Sequence, residues 1–305
     1  MSTVIPPPAS VRQRGSGRRD NGGQGVVEQR SRLQVWGKSA LLGVILLWCL
    51  FPFLWLIMTS FKIGDRALNS PDLFQGPFGL ANYEAVFNQD FHLNLRNSLV
   101  VAGATTIICI VVGSLTAYAI ARLPLKRKIL LLSGVLAVSL FPPVALVPPL
   151  YYLWRNLGLL NTYEGLYIPY TAFTLPLTIF ILVTFFAAIP KDLEEAARVD
   201  GASPFKAFYR VILPLAAPGV FAAAIIIFVL SWNEFLLAST FAPRNPDIAQ
   251  TVPVAIAAFT GAVEFQRPIG TITAACVVVT IPMIIVALAF QKRIVAGLTA
   301  GSVKG

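Results

Sequence analysis

The sequence predicts an all-α integral membrane protein with six transmembrane helices, on three observations. Of its 305 residues 56% are apolar and only 12% charged, and the mean hydropathy is +0.72. A soluble domain averages about 25% charged residues. Six apolar segments, at about 40–61, 97–121, 129–154, 165–189, 212–240 and 271–291, each supply roughly the 20 residues that cross the hydrocarbon at 1.5 Å per residue. The basic residues alternate between the segments: 18 of the 24 Lys and Arg fall on one predicted side, in the N-terminal tail, around Arg122 and Lys126–Lys128, between Lys191 and Arg210, and after Lys292. Lys62, Arg66, Arg96, Arg155, Arg244 and Arg267 fall on the other. This asymmetry predicts both termini in the cytoplasm.

Composition also excludes several classes. The net charge of +10 belongs to orientation signals beside the spans, and no nucleic-acid module accompanies it, so membrane lipid is a predicted partner and nucleic acid is not. Cys49, Cys109 and Cys276 all fall within spans, an odd number with no His or carboxylate at ligand spacing, so neither a disulfide framework nor a metal site is expected. His92, the one histidine, lies outside the spans and leaves no His-based proton relay. Gly37-Lys38-Ser39 mimics the end of a P-loop, but Arg32 stands where the first glycine belongs and no Gly-rich loop precedes it. No catalytic constellation and no cofactor are predicted for the chain itself.

Taken in order, residues 1–38 carry Pro6-Pro7-Pro8, several Gly and Ser and seven basic residues, a composition that predicts disorder. The apolar run starts too late for a cleaved signal. Between the first two spans, Asn82–Phe87 reads as a short amphipathic helix on the surface. The third span holds Pro142-Pro143 and Pro148-Pro149, the fourth Pro176 and the sixth Pro282. Each frees a helix carbonyl. The third span is therefore expected to be bent or locally unwound, with Pro142 and Pro143 as candidate pathway residues.

Trp232-Asn233-Glu234 closes the fifth span, and Glu234 is the only carboxylate within the six segments. At mid-membrane it would cost about 2.5–3.5 kcal/mol, so it is expected to reach water or a polar vestibule. Two readings follow: Trp232, Asn233 and Glu234 line a pathway or gate, or Glu234 is an interfacial cap beside a belt tryptophan. Thr251–Phe259, in the loop at 241–270, is too short to span. The C-terminal residues after Gln291, with three glycines and no periodic apolar face, predict an extended tail that folds on a partner.

The most informative stretch is polar and runs from Lys191 to Pro214 between two apolar segments. Local rules make it two short helices with a break. Asp192 is expected as an N-cap with Glu195 three residues on, an Asp version of the capping box. Gly201 stands where an αL residue closes the first helix. Ser203-Pro204 supplies a second N-cap with proline at the first helical position.

Glu195-Ala196-Ala197, three residues, Gly201, nine residues and Val211-Ile212-Leu213-Pro214 together resemble the EAA loop of ABC importer permeases, whose pattern is E-A-A-x3-G-x9-I-x-L-P. Valine replaces the isoleucine here. The C-terminus, Gly297-Leu298-Thr299-Ala-Gly-Ser-Val-Lys304-Gly305, resembles the tail of the G-type permeases of maltose and trehalose importers. The resemblance covers about residues 40–305 and implies a type I ABC importer permease bundle for carbohydrate. It implies a cytoplasmic tail at 1–38, a first span and external loop at 39–94, the permease core at 95–292 and a C-terminal tail at 293–305.

The resemblance further implies that Glu195, Ala196, Ala197, Asp200, Gly201, Leu213 and Pro214 couple to an ATPase, and that Gly297, Leu298, Thr299, Lys304 and Gly305 enter its dimer interface. The implied partners are a second homologous permease, an ATPase dimer that binds the ATP and Mg, an extracytoplasmic sugar-binding protein and its sugar. The implied location is a bacterial plasma membrane. Two alternatives stand beside it: an ABC permease for another polar solute such as glycerol phosphate, and an ion-coupled secondary transporter. The second would need ionisable groups at the midplane, and the sequence offers none.

Overall fold

The computed structural model describes residues 22–64, 72, 74–243, 248–259 and 268–302, with backbone alone for 22–34 and 291–302. The described chain divides after Leu54. Up to that point it is one helix, the greater part of α1 (Gly22–Phe61), and its large apolar side chains from Val35 on are exposed, Trp36 and Trp48 among them. The predicted disorder of 1–38 is corrected for 22–38: the backbone there is helical and continuous with the span. Propagating a helix from an existing segment avoids the nucleation penalty, so the polar run Val26–Gln34 extends α1 although its composition favours solvent. Residues 1–21 lie outside the described set.

The second unit is built around two long helices, α3 (Phe91–Arg122) and α6 (Tyr163–Ala188), packed along one another. Small residues make their close approach possible. Ala102, Thr105, Cys109, Gly113 and Ala117 recur every three or four residues on the buried face of α3, opposite Tyr170, Thr174, Thr178 and Leu182 of α6. A Cβ at Gly113 would sit 2.8 Å from Thr178 Cγ2, and helices in an apolar medium associate through such small-residue seams. Cys109 Sγ lies 3.2 Å from Thr174 Oγ1 within the seam.

Around this pair stand α2 (Ala81–Phe87), α4 (Lys128–Ser139), α5 (Pro143–Leu157), α7 (Asp192–Val199), α8 (Pro204–Leu215), α9 (Ala217–Trp232), α10 (Leu236–Phe241), α11 (Val252–Phe259) and α12 (Ile269–Ser302). Val35–Phe61, Phe91–Arg122, Tyr163–Ala188 and Ile269–Phe290 are each long and apolar enough to cross a membrane. Two more spans are broken: α4 and α5 meet at 76°, and α8 and α9 at 77°. The predicted six are recovered when each bent pair is one span.

The bend in the third span is the expected one. It falls between Ser139 and Pro143, whereas Pro148 and Pro149 are absorbed inside α5. The bend before the fifth span was not expected. Pro214 and Pro218 flank Ala216, each lacks the N–H that would continue the ladder, and a π-helix at Phe208–Ile212 precedes them. The fifth span is also shorter than 212–240, since α9 stops at Trp232 and a new helix begins at Leu236. The extended C-terminal tail is corrected as well: α12 runs through to Ser302. Gly297 and Gly301 each cost a helix about 1 kcal/mol relative to alanine, too little to stop one that is already propagating.

Candidate functional site

The Lys191–Pro214 elbow has the two-helix form read from its sequence, and its central turn is held as expected. Gly201 takes φ +83°. Its N–H donates to Arg198 O at 3.1 Å and the N–H of Ala202 donates to Ala197 O at 2.9 Å, the paired bonds of a Schellman cap. Ser203 Oγ accepts from Lys206 N at 3.3 Å, with Pro204 at the first helical position.

The start of α7 differs from the expectation. Lys191 O accepts from Glu194 N and Glu195 N, so Lys191 is the flanking residue and Asp192 is already helical. No side chain caps this end, and the Asp192–Glu195 capping box does not form. Asp192, Glu194 and Glu195 act instead as first-turn negative charges facing the helix dipole.

Glu194, which the sequence reading passed over, is the side chain that ties the elbow down. Tyr118 Oη donates to Glu194 Oε1 at 2.6 Å, and Arg122 Nε lies 3.5 Å from Glu194 Oε2. Arg122 Nη2 donates to Ile189 O at 2.8 Å, at the end of α6. The ring of Phe208 sits 4.7 Å from that of Tyr118 and 6.0 Å from that of Phe186. One α3 turn, the end of α6, the first turn of α7 and the π-helix of α8 thus meet at one point. A carboxylate one turn into a polar helix, with Tyr and Arg four residues apart at the end of an apolar span, is the signal that could have found it.

Outward, the elbow is unsatisfied. Glu195, Ala196, Asp200, Gly201 and Pro214 are exposed, and Ala197 and Leu213 half-buried. Val199, Phe205 and Tyr209 present 88%, 67% and 64% of their surface. A cavity of about 910 Å³ opens beside them, walled by α3 residues from Ile110 to Leu115, by Phe205 to Pro214, and by the first turns of α9.

At the opposite end of α3 a second polar cluster has Asn94, Asn97, Ser98 and Gln250 buried. Asn94 Nδ2 donates to Gln250 O and Oε1, both at 3.1 Å, and Asn97 Nδ2 donates to Gln250 O at 3.0 Å. Tyr163 Oη donates to Asn97 Oδ1 at 2.7 Å, Val252 N to Ser98 Oγ at 2.8 Å, and Gln250 Nε2 to Pro243 O at 2.8 Å. This network seats α11, whose apolar side packs with Val86, Phe91, Ala274 and Ala275. Polar residues at 94, 97 and 98, one helix face just before an apolar run, were the sequence signal.

Of the candidate pathway residues, Glu234 is a cap. Its Oε1 accepts from Leu237 N at 2.9 Å and its Oε2 from Ala238 N at 3.1 Å, closing the first turn of α10. Trp232 is buried and stacks on Phe228 at 5.8 Å, while Asn233 is exposed and returns its amide to Val229 O. Pro142 and Pro143 are exposed at the break between α4 and α5. Gly297, Leu298 and Thr299 fall in the last turns of α12, and Lys304 and Gly305 lie outside the described residues.

Residues 109–299 match the family of binding-protein-dependent transport system inner membrane components. The chain belongs to this family. It is a multi-pass membrane permease, and the EAA-type elbow lies wholly inside the matched segment. The trehalose transport system permease protein SugB of Mycobacterium tuberculosis (strain CDC 1551 / Oshkosh) is 45% identical over 259 residues, 85% of this chain and 93% of that protein. The trehalose/maltose transport system permease protein MalG of Thermococcus litoralis is 44% identical over 260 residues, 84% of this chain and 92% of that one. The sulfoquinovosyl glycerol transport system permease protein SmoH of Agrobacterium fabrum is 45% identical over 258 residues, 84% and 89% of the two chains. Among solved structures, a bacterial ABC transporter that imports the polysaccharide alginate has a chain with the same fold, at TM-score 0.67 and 24% identity over 86% of this chain and 97% of that one. The permease fold and its six-span bundle are thus those of the family.

Proposed function

We propose that this permease forms half of the translocation path of an ATP-driven, binding-protein-dependent sugar importer, and that its elbow is the dock for the ATPase. The observation that carries the reading is the elbow itself. It is a well-closed pair of helices between two spans that leaves Val199, Phe205 and Tyr209 facing outward. Exposed apolar groups clustered on a polar loop mark an interaction surface. A second permease completes the path, two ATPase subunits bind ATP and Mg, and an external binding protein delivers the solute. The C-terminal residues Gly297–Gly305 join the ATPase contact, and both termini face the cytoplasm in a bacterial plasma membrane.

The relatives named for trehalose, for trehalose and maltose, and for sulfoquinovosyl glycerol share glycoside chemistry, which supports a glycoside substrate. SmoH matches as well as SugB does, so an anionic glycoside is the specific second reading. An ion-coupled mechanism is disfavoured because Glu234 is committed to capping α10.

The test is uptake by membranes carrying the permease, its partner permease, the ATPase and the binding protein. Labelled trehalose, maltose and sulfoquinovosyl glycerol are compared with and without ATP. ATP-dependent uptake of one of them is expected. Uptake that survives ATP depletion and collapses with an ionophore would overturn the reading. Cysteines at Gln89 and Ser203, in a background without the native three, test orientation. Gln89 should label from outside intact cells and Ser203 should not.

A further inference from the structure

We infer that Glu194, gripped by Tyr118 and Arg122, is a strut that makes α7 and α3 move as one body and so sets how much transport each ATP cycle yields. The inference rests on the proposed role of the elbow as ATPase dock and names residues outside the motif that carries that role.

The case begins with how little else holds α7. No residue of that helix is fully buried, and its main packing is against its neighbour α8, so apolar contact does little to fix its angle against α3. Between Ala188 at the end of α6 and Asp192 at the start of α7 the chain passes through Ile189, which is extended at φ −75° and ψ 131°, and Pro190. Three residues outside the two helices form a pivot, and a helix on a pivot swings unless a contact beyond it intervenes.

Glu194 is that contact. Among the described residues, it is the one side chain of α7 with a hydrogen bond or ion pair to another element. Its two oxygens face different partners: Oε1 accepts a hydrogen bond from the Tyr118 hydroxyl, and Oε2 is held in an ion pair by the Arg122 guanidinium. The site is shielded from water: Arg122 exposes 5% of its side chain and Glu194 15%. A shielded pair is not screened as a surface pair is, and removing one partner strands the other.

The partners also lie where a push would have to go. Arg122 holds Ile189 O, so the far side of the pivot is pinned to the same α3 turn that holds α7. Tyr118 meets Phe208, which brings the π-helix of α8 onto that turn. Since α3 packs along α6 and α9, a displacement of α7 reaches three spans through one α3 turn. Without Glu194 the same displacement is absorbed at the pivot.

The experiment uses the full complex in proteoliposomes with trehalose, and reads sugar moved per ATP hydrolysed. Glu194→Gln keeps an acceptor for Tyr118 and loses the charge. Tyr118→Phe loses the hydrogen bond, and Glu194→Ala loses the hydrogen bond and the ion pair together. The ratio is expected to fall in wild type, Gln or Phe, Ala order, by about fivefold or more at alanine, with the ATPase still co-purifying. Uptake and hydrolysis falling together at a constant ratio would make Glu194 a merely structural residue and overturn the strut. Should Glu194→Ala fail to insert, Glu194→Gln and Tyr118→Phe carry the same comparison.

A second measurement needs no ATPase and separates failure of the strut from failure of the dock. Spin labels at Val199 and Leu115 in the cysteine-free permease should give a narrow distance distribution that broadens in Glu194→Ala. An unchanged distribution overturns the strut whatever the elbow binds.

Discussion

At its first turns α3 grips the chain around Gln250 with Asn94, Asn97 and Ser98, all buried and all hydrogen-bonded. At its last turn it reaches α7 through a single carboxylate, and no residue of α7 is fully buried. The two sites lie about 36 Å apart along a helix rising 1.5 Å per residue. The first arrangement has many bonds in an apolar surround, which makes α11 part of the frame. The second leaves most of a helix in solvent, packed against α8 and tied to α3 by one side chain. A frame and a lever are different uses of the same helix, and the difference predicts where substitutions act on stability and where on transport.

The largest loss of stability should come at the frame end. Gln250→Leu is close in size to the native side chain but removes the Oε1 acceptor and the Nε2 donor, leaving an Asn94 bond and the Pro243 carbonyl short of partners. Each buried group left unsatisfied costs about 1–3 kcal/mol. The purified permease should unfold at a lower temperature, and amide exchange in α11 should rise with it. Unchanged exchange in α11 would mean that apolar packing around Val252 and Phe259 seats the helix without the network.

Gly201→Asp comes next in energy and reverses the pattern. A residue with a Cβ in the left-handed region costs about 1–2 kcal/mol, and a Cβ there meets nothing within 4 Å. The strain is therefore conformational and local to the Schellman cap. The permease should insert at a normal level and keep its unfolding temperature nearly unchanged, while uptake falls severely and the ATPase binds weakly. Normal uptake would show that the elbow is not the coupling site and would erase the contrast between the ends.

How much of this was legible depended on how far each interaction reaches along the chain. Gly201, Ser203 and Pro204 were readable because their bonds close within five residues. The bend at Pro142-Pro143 was readable for the same reason, since proline acts on its own turn. Glu194 was not, because Tyr118 lies 76 residues earlier in the chain. Gln250 was hidden likewise, its partners being 153 and 156 residues away. Asp192 and Glu195 mark the opposite failure. Their spacing fits a capping box, but the Lys191 carbonyl starts the helix one residue early. The break before α9 is hidden because Pro214 also closes the Val211–Pro214 motif, and the bend falls two residues beyond it.

A smaller effect is expected at Ser203. Its bond to Lys206 N is long, 3.3 Å, and exposed. Losing an N-cap costs about 1 kcal/mol, and the length of this bond places Ser203→Ala below that value. Helix α8 itself carries the buried Ala207, Phe208 and Ile212, so the packing should hold it in place. Uptake should drop by less than in Gly201→Asp, with no change in unfolding temperature. A loss as large as that of Gly201→Asp would mean that the second helix of the elbow, and not the first, is the moving part.

The smallest structural effect belongs to Glu195, and it sharpens the comparison most. It stands beside Glu194 in the sequence, yet it is exposed and makes no cap bond to Asp192. Its contribution to the fold reduces to a first-turn charge facing the helix dipole, about 0.3–1 kcal/mol at low salt, and screening lowers it further. Glu195→Ala should therefore leave insertion, unfolding temperature and the Val199–Leu115 distance as they are. What it should change is the encounter with the ATPase, since an outward charge on a docking surface acts through complementarity with its partner. Weaker co-purification that salt no longer modulates is the expected signature. If Glu195→Ala instead broadens the Val199–Leu115 distance as Glu194→Ala does, the carboxylate that holds α7 is not the one the structure identifies, and the division between an inward strut and an outward contact fails.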